Sequence, residues 1–234
     1  MCIKSGKILG AEALIRWKHP KLGLMYPDKF IHLAEEAGLI SQIGEWVIRQ
    51  ACIQNKKWQD SGMEPIKIAV NLSTHQFVRQ NLVSFVKDVL YQTGLDPQYL
   101  VLEITESMAM DFDYSLKVLR HLKNIGVCIS IDDFGTGYSS LNYLKKFPID
   151  YLKIDRSFVS DIIEDENDVN IVKAIITLAH NLDLRVIAEG VETLEQLDFL
   201  QRYHCDEIQG YLLSKPVDAE QFEQLHAPLL IKIK

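Results

Sequence analysis

A parallel α/β barrel is the fold this sequence predicts, on three observations. Short apolar runs rich in β-branched residues alternate with longer amphipathic stretches along the whole chain, as successive βα units do. The 234 residues, 47% of them hydrophobic, come close to the roughly 250 that such a barrel uses and suffice for a sizeable core. The open-sheet alternative lacks its marks: no GxGxxG follows the first strand and no GxxxxGK[ST] occurs, so nothing supports a glycine-rich phosphate cradle.

The elements follow in order. Strands are predicted over 7–14, 67–72, 100–105, 127–131, 151–154, 185–188 and 207–212. That makes seven where a closed barrel needs eight, so the simplest reconciliation places the first strand before residue 1. Between them, Ile43, Trp46, Val47, Ile53 and Trp58 form a helical stripe ended by Ser61-Gly62 and Pro65. Leu116, Val118, Leu119 and Leu122 mark a second, stopped at Gly126. Val169, Val172, Ile175 and Ile176 mark a third, with acidic residues across 161–168 where a helix dipole favours negative charge. These stripes read as core packing. No linker, low-complexity run or repeat interrupts the chain, so a single domain over 1–234 is expected.

Charge and cysteine usage narrow the function. The net charge of −7 argues against binding a nucleic-acid polymer or an anionic membrane. Cys2, Cys52, Cys128 and Cys205 lie far apart with neither CxxC nor Cys/His spacing, so they suggest no zinc site or redox pair, and three of them have apolar neighbours typical of core residues. The N-terminal segment has no apolar h-region, and no run of about 18 apolar residues occurs. A reducing, cytoplasmic setting without membrane contact from this segment is expected.

Polar residues fall at the strand ends. Glu12, Asn71, Glu103, the Asp132-Asp133 pair, Lys153 with Asp155, Glu189 and Gln209 each sit at or near the end of a strand. Any one alone reads as a turn residue or surface charge. In a barrel, however, these ends converge on one mouth, and carboxylates at that density repel one another unless cations or protons compensate. Glu12, Asn71, Glu103, Asp132 and Asp133 are hard oxygen donors of the kind Mg²⁺ or Mn²⁺ prefers, and two ions sharing a carboxylate would let an acidic site hold phosphate. Lys153 among them could hold a water or steady developing negative charge. The glycines of 132–137 permit a sharp loop beside such ions. A barrel glycosidase with Glu103 and Glu189 as its carboxylate pair is the rival chemistry, but it leaves Glu12, Asn71, the aspartate pair and Lys153 without a role.

Glu12-Ala13-Leu14-Ile15-Arg16-Trp17 resembles the signature of the EAL domain family, the cyclic di-GMP phosphodiesterases. The likeness continues through Val70-Asn71-Leu72-Ser73, Leu102-Glu103-Ile104-Thr105-Glu106, Asp132 to Gly137 followed by Tyr138-Ser139-Ser140-Leu141, Leu152-Lys153-Ile154-Asp155, Ala188-Glu189-Gly190-Val191-Glu192-Thr193 and Gln209-Gly210-Tyr211. It covers nearly the whole chain. Met25-Tyr26-Pro27 is a conservative departure, and the family's strand before Glu12, with a Tyr-Gln-Pro-Ile-like segment, is not in this sequence.

The resemblance implies a modified TIM (β/α)8 barrel, here lacking its first strand, that hydrolyses one phosphodiester bond of cyclic di-GMP to linear pGpG with two Mg²⁺ or Mn²⁺ ions. It implies that Glu12, Asn71, Glu103 and Asp132 hold the first ion and that Asp132 bridges to a second, also bound by Asp133. Lys153 would position the attacking water, and Glu189 would be either a second-ion ligand or the general base. Arg16, Leu14 and Gln209 would contact substrate, while Glu106 anchors the loop after Asp132 and Glu192 has a supporting or regulatory part. A homodimer through the loop and helix after Asp133 is also implied, as is an upstream sensor or GGDEF domain in a longer protein. The alternative is an inactive member serving as a cyclic di-GMP receptor or protein-interaction module, but none of the family's catalytic residues is lost here.

Overall fold

The computed structural model describes residues 1–78, 81–109, 111–137 and 144–226. Seven parallel strands form one curled sheet: β1 (Gly10–Glu12), β4 (Lys67–Asn71), β5 (Leu100–Thr105), β6 (Cys128–Phe134), β7 (Tyr151–Ile154), β8 (Arg185–Ala188) and β9 (Glu207–Ile208), paired in that order. A separate antiparallel hairpin, β2 (Trp17–His19) and β3 (Gly23–Met25), leads into α1 (Pro27–Glu36), against which Trp17 packs through Phe30. The sequence predicts no strand at either position, because three-residue strands carry too little alternation to register.

Further helices among the described residues are α2 (Ile40–Asp60), α3 (Thr74–Phe77), α4 (Leu82–Thr93), α5 (Phe112–Ile125), α6 (Arg156–Ser160), α7 (Glu166–Asn181), α8 (Leu194–Arg202) and α9 (Ala219–His226). The three predicted stripes fall on α2, α5 and α7. Local chemistry sets their ends: Asp111 caps α5 through the Tyr114 N–H, Gly126 closes it in the left-handed conformation, and Asp165 caps α7 through the Asn167 N–H.

Strand alternation divides the apolar residues into two layers. Val70, Leu102, Ile104, Ile129, Leu152, Ile154 and Val186 are fully or almost fully buried and belong to the large core cluster that also holds the inward faces of the helices. The intervening residues Ala69, Val101, Cys128, Tyr151 and Ile187 form a second, smaller cluster that fills the lumen. Register carries this inner row around the sheet, with Asn71 opposite Glu103, Glu103 opposite Ser130, and Lys153 opposite Ile187.

Three strands differ from expectation by more than one residue at an end. The first and last strands are shorter than 7–14 and 207–212. At the last, Gly210 lets the chain approach Val191 so closely that a Cβ would lie 2.1 Å from the Val191 carbonyl oxygen, and the ladder ends there. β6 runs further than expected, so that Asp132 and Asp133 lie within the strand and not after it. At the sheet's free edge, the Met1 backbone exchanges both hydrogen bonds with Ile208, and Cys2 bridges Glu207 antiparallel, so residues 1–3 lie beside β9. Cys52, Cys128 and Cys205 are buried free thiols, as expected. Among the described residues no helix is long and apolar enough to cross a membrane.

Candidate active site

All seven strands deliver a polar side chain to the C-terminal mouth of the lumen. At its centre is Lys153 of β7, 1% exposed. Its Nζ lies 2.6 Å from Glu189 Oε1, 2.8 Å from Glu103 Oε1, 3.1 Å from Asp132 Oδ1 and 3.8 Å from Glu12 Oε2. One ammonium therefore faces four carboxylates. The four hold Lys153 well above its ordinary pKa even though burial opposes the charge.

The carboxylates outnumber their cation, and the titration of Glu103 and Glu189 reflects it. Burial, with the nearby charges of Glu12 and Asp132, pushes Glu103 up to about 8 despite Lys153. Burial and the Asp132 charge push Glu189 up to about 7. Glu103 Oε2 is buried without a hydrogen-bond partner. Such a mouth is short of positive charge.

The aspartate pair depends on a backbone irregularity. Neighbouring strand residues normally point to opposite faces. Between Ile131 and Phe134 the β6–β7 register shifts, and Asp133 adopts φ +52°, which turns its carboxylate back toward that of Asp132. Ligand atoms of Asp132, Asp133 and Glu189 then lie within 4.8 Å of one another, a group that could hold a metal ion. Asp155 lies at the end of β7, where it caps α6 through the Ser157 N–H at 2.9 Å and where its carboxyl acts on that of Asp133. Burial, then Asp132 and Asp155, push Asp133 up to about 6. The sequence marked Asp155 as a strand-end acid but not its contact with Asp133, since a capping aspartate after a strand is commonplace.

Glu12 sits at the end of β1, held from both sides. Asn71 Nδ2 donates to its Oε1 and Gln209 Nε2 to its Oε2, each at 2.6 Å. A carboxylate only accepts, so both amides must turn their NH2 groups to Glu12, which leaves the Asn71 carbonyl oxygen free for a cation. The donor set is thus all hard oxygen around an excess of negative charge, and it fits divalent ions of the Mg²⁺ or Mn²⁺ type.

The other predicted residues lie further out. Glu106 Oε1 accepts from the Gly135 N–H at 2.8 Å, tying the loop after Asp133 to the end of β5. Arg16 is half-buried, with its guanidinium 4.7 Å from the Tyr26 ring and donating to the Ile15 carbonyl, and Leu14 is exposed. Glu192 is exposed and takes part through its backbone N–H, which donates to Gln196 Oε1 at 2.7 Å within the cap of α8. Tyr138 to Leu141 lie outside the described residues. A groove of about 1070 Å³ between α4 and α5 is lined by residues such as Tyr91, Leu95 and Val118 and includes none of the mouth residues.

A curled parallel α/β barrel with hard-oxygen ligands gathered at the strand C-termini defines a protein of the metal-assisted barrel class. The EAL domain family model matches residues 1–216, and the chain belongs to that family. It is 51% identical over 218 residues to the bifunctional diguanylate cyclase/cyclic di-GMP phosphodiesterase MucR of Pseudomonas aeruginosa, covering 93% of this chain and 32% of that protein. It is 45% identical to the cyclic di-GMP phosphodiesterase NbdA of the same organism, covering 96% of this chain and 29% of NbdA. The chain thus spans about a third of the length of these relatives. A solved structure of the PaMucR phosphodiesterase in complex with c-di-GMP superposes with a TM-score of 0.92 at 50% identity, covering 95% of this chain and 90% of that one. The EAL enzyme Bd1971, bound to cAMP and cyclic di-GMP, gives 0.92 at 39% identity, covering 97% of this chain and 62% of the other.

Proposed function

We propose that this chain hydrolyses one phosphodiester bond of cyclic di-GMP to linear pGpG, using Mg²⁺ or Mn²⁺ at two positions in the mouth. The observation that carries this reading is the surplus of carboxylate around Lys153, a deficit of positive charge that divalent cations would make good. Similarity to proteins named as cyclic di-GMP phosphodiesterases, one of them solved with c-di-GMP, supports the substrate.

Glu12, Asn71, Glu103 and Asp132 would hold the first ion, and Asp132, Asp133 and Glu189 the second. Such ions would acidify a coordinated water and offset the charge of the phosphate under attack. Lys153, buried at the centre of the mouth, would donate to the attacking water and hold it beside the phosphate. Glu189 either ligates or accepts the water's proton. Arg16 offers a planar donor fork to a substrate phosphate, and Leu14 an apolar contact to a base. Glu106 keeps the loop after Asp133 beside the second ion by holding Gly135.

The same reading places the chain in the cytoplasm, in a single domain over 1–234, as a homodimer through the loop and helix after Asp133. The upstream part of a longer protein would supply a sensor or GGDEF domain. The test is to incubate protein, cyclic di-GMP and Mn²⁺ and separate the products by chromatography. Appearance of pGpG at a rate proportional to protein supports hydrolysis. Binding of cyclic di-GMP with no pGpG at high protein concentration replaces it with a receptor.

A further inference from the structure

We infer that Gln209 is a positioning residue for Glu12, fixing that carboxylate toward the cation side of the mouth, and not a contact to substrate. The inference rests on the reading of the mouth as a two-ion site.

Three observations lead to it. The sheet runs from β1 to β9, and among the described residues these end strands share no ladder hydrogen bond, so Glu12 stands at an unpaired edge. At the opposite end of this seam residues 1–3 lie against β9, whereas at the mouth the seam is crossed by the 2.6 Å hydrogen bond from Gln209 Nε2 to Glu12 Oε2. The Gln209 backbone is itself immobilised. Its N–H donates to the Ala188 carbonyl at 2.8 Å, its carbonyl accepts from the Val191 N–H at 3.1 Å, and the following Gly210 is packed too close to Val191 for any side chain. A side chain projecting from so fixed a base acts as a strut.

Donor chemistry makes the strut directional. With Asn71 on Oε1 and Gln209 on Oε2, each Glu12 oxygen accepts one amide hydrogen bond and keeps lone-pair capacity for a cation. A ligand carboxylate held in this way binds its ion more tightly, because the ordering has been done before the ion arrives. If Gln209 instead bound substrate, its NH2 would have to leave a charge-assisted hydrogen bond to do so.

The test uses Gln209→Met, which keeps length and volume but has no donor, and Gln209→Asn, which keeps the amide but stops one methylene short. Mn²⁺ binding is followed by calorimetry in the absence of substrate, with thermal melting of the metal-free proteins alongside. Both variants are expected to weaken Mn²⁺ binding by about 10- to 100-fold. Cyclic di-GMP turnover should drop at low Mn²⁺ and recover at high Mn²⁺, with KM for cyclic di-GMP within twofold of wild type. A variant with unchanged Mn²⁺ affinity and a raised KM overturns the inference and makes Gln209 a substrate contact. If one variant fails to fold, the other decides by the same two readings. Wild-type protein that binds no Mn²⁺ overturns the two-ion reading itself, a result separate from either variant's behaviour.

Discussion

The two ends of the lumen are built from the same strands yet balance their charges differently. At the floor, where the strands begin, Lys67 donates to the Tyr151 hydroxyl and to Cys128 Sγ, and Arg185 pairs with Glu207 at 3.1 Å. Two to four residues further along four of those strands, the mouth presents Asn71, Asp132, Lys153 and Glu189. The floor is close to self-sufficient, whereas the mouth assembles four carboxylates on one ammonium and leaves Glu103 Oε2 unpartnered. Polar networks that serve stability are satisfied within the chain. An unsatisfied one, kept at a cost to folding, points to a ligand.

Removing the ammonium at the centre of the mouth should have the largest effect. Lys153→Met is expected to lower cyclic di-GMP hydrolysis about 1000-fold, as loss of a donor to the reacting centre does. Without metal at pH 8 it should also cost about 3 kcal/mol of stability, because the carboxylates lose their partner; urea denaturation with chelator present measures this. Next is Glu106→Ala, which frees Gly135 while leaving every mouth residue in place. Its expected signature is a fall in turnover of about 100-fold. The melting temperature of this variant should stay within a few degrees of wild type.

Proton and metal linkage give a third way to sharpen the contrast. Glu103, pushed up to about 8, and Glu189, pushed up to about 7, both lie above the usual 4.5 because they are buried among like charges. The native metal-free protein therefore binds protons that the unfolded chain has released, and it loses stability as pH rises from about 4.5 toward 8. Cations in the mouth would compete with those protons. Mn²⁺ at a hundred times its dissociation constant should stabilise by about 2.7 kcal/mol, and the gain should shrink as pH falls to 5. Melting curves with Mn²⁺ or with chelator across this range test the sign. The smallest effect belongs to the floor: Lys67→Met should cost about 1 kcal/mol through its lost hydrogen bonds and leave hydrolysis within twofold of wild type.

The sequence made the mouth legible and the floor nearly invisible, for a physical reason. A carboxylate, amide or lysine ending a β-branched run stands out, so the sequence alone assigns Glu12, Asn71, Glu103, Asp132, Lys153, Glu189 and Gln209 to one face. Lys67, Arg185 and Glu207 begin their strands, where charged residues ordinarily meet solvent; Arg185 does stay exposed, whereas Lys67 is half-buried and Glu207 buried, and nothing in the local sequence separates the three. What the sequence left unread is mostly pairwise geometry. That Asp133 turns back toward Asp132 depends on a register shift, and that Gln209 reaches Glu12 depends on contact across a gap of 197 residues. The edge position of residues 1–3 was equally hidden, since three residues before Lys4-Ser5-Gly6 carry no periodic signal.

Anomalous scattering from crystals grown with Mn²⁺ tests the contrast between mouth and floor most directly. The account predicts two peaks at the mouth, one among Glu12, Asn71, Glu103 and Asp132 and one among Asp132, Asp133 and Glu189, with Lys153 drawn away from at least one carboxylate. A mouth without Mn²⁺ at saturating concentration, with Lys153 still bound to all four carboxylates, would contradict it.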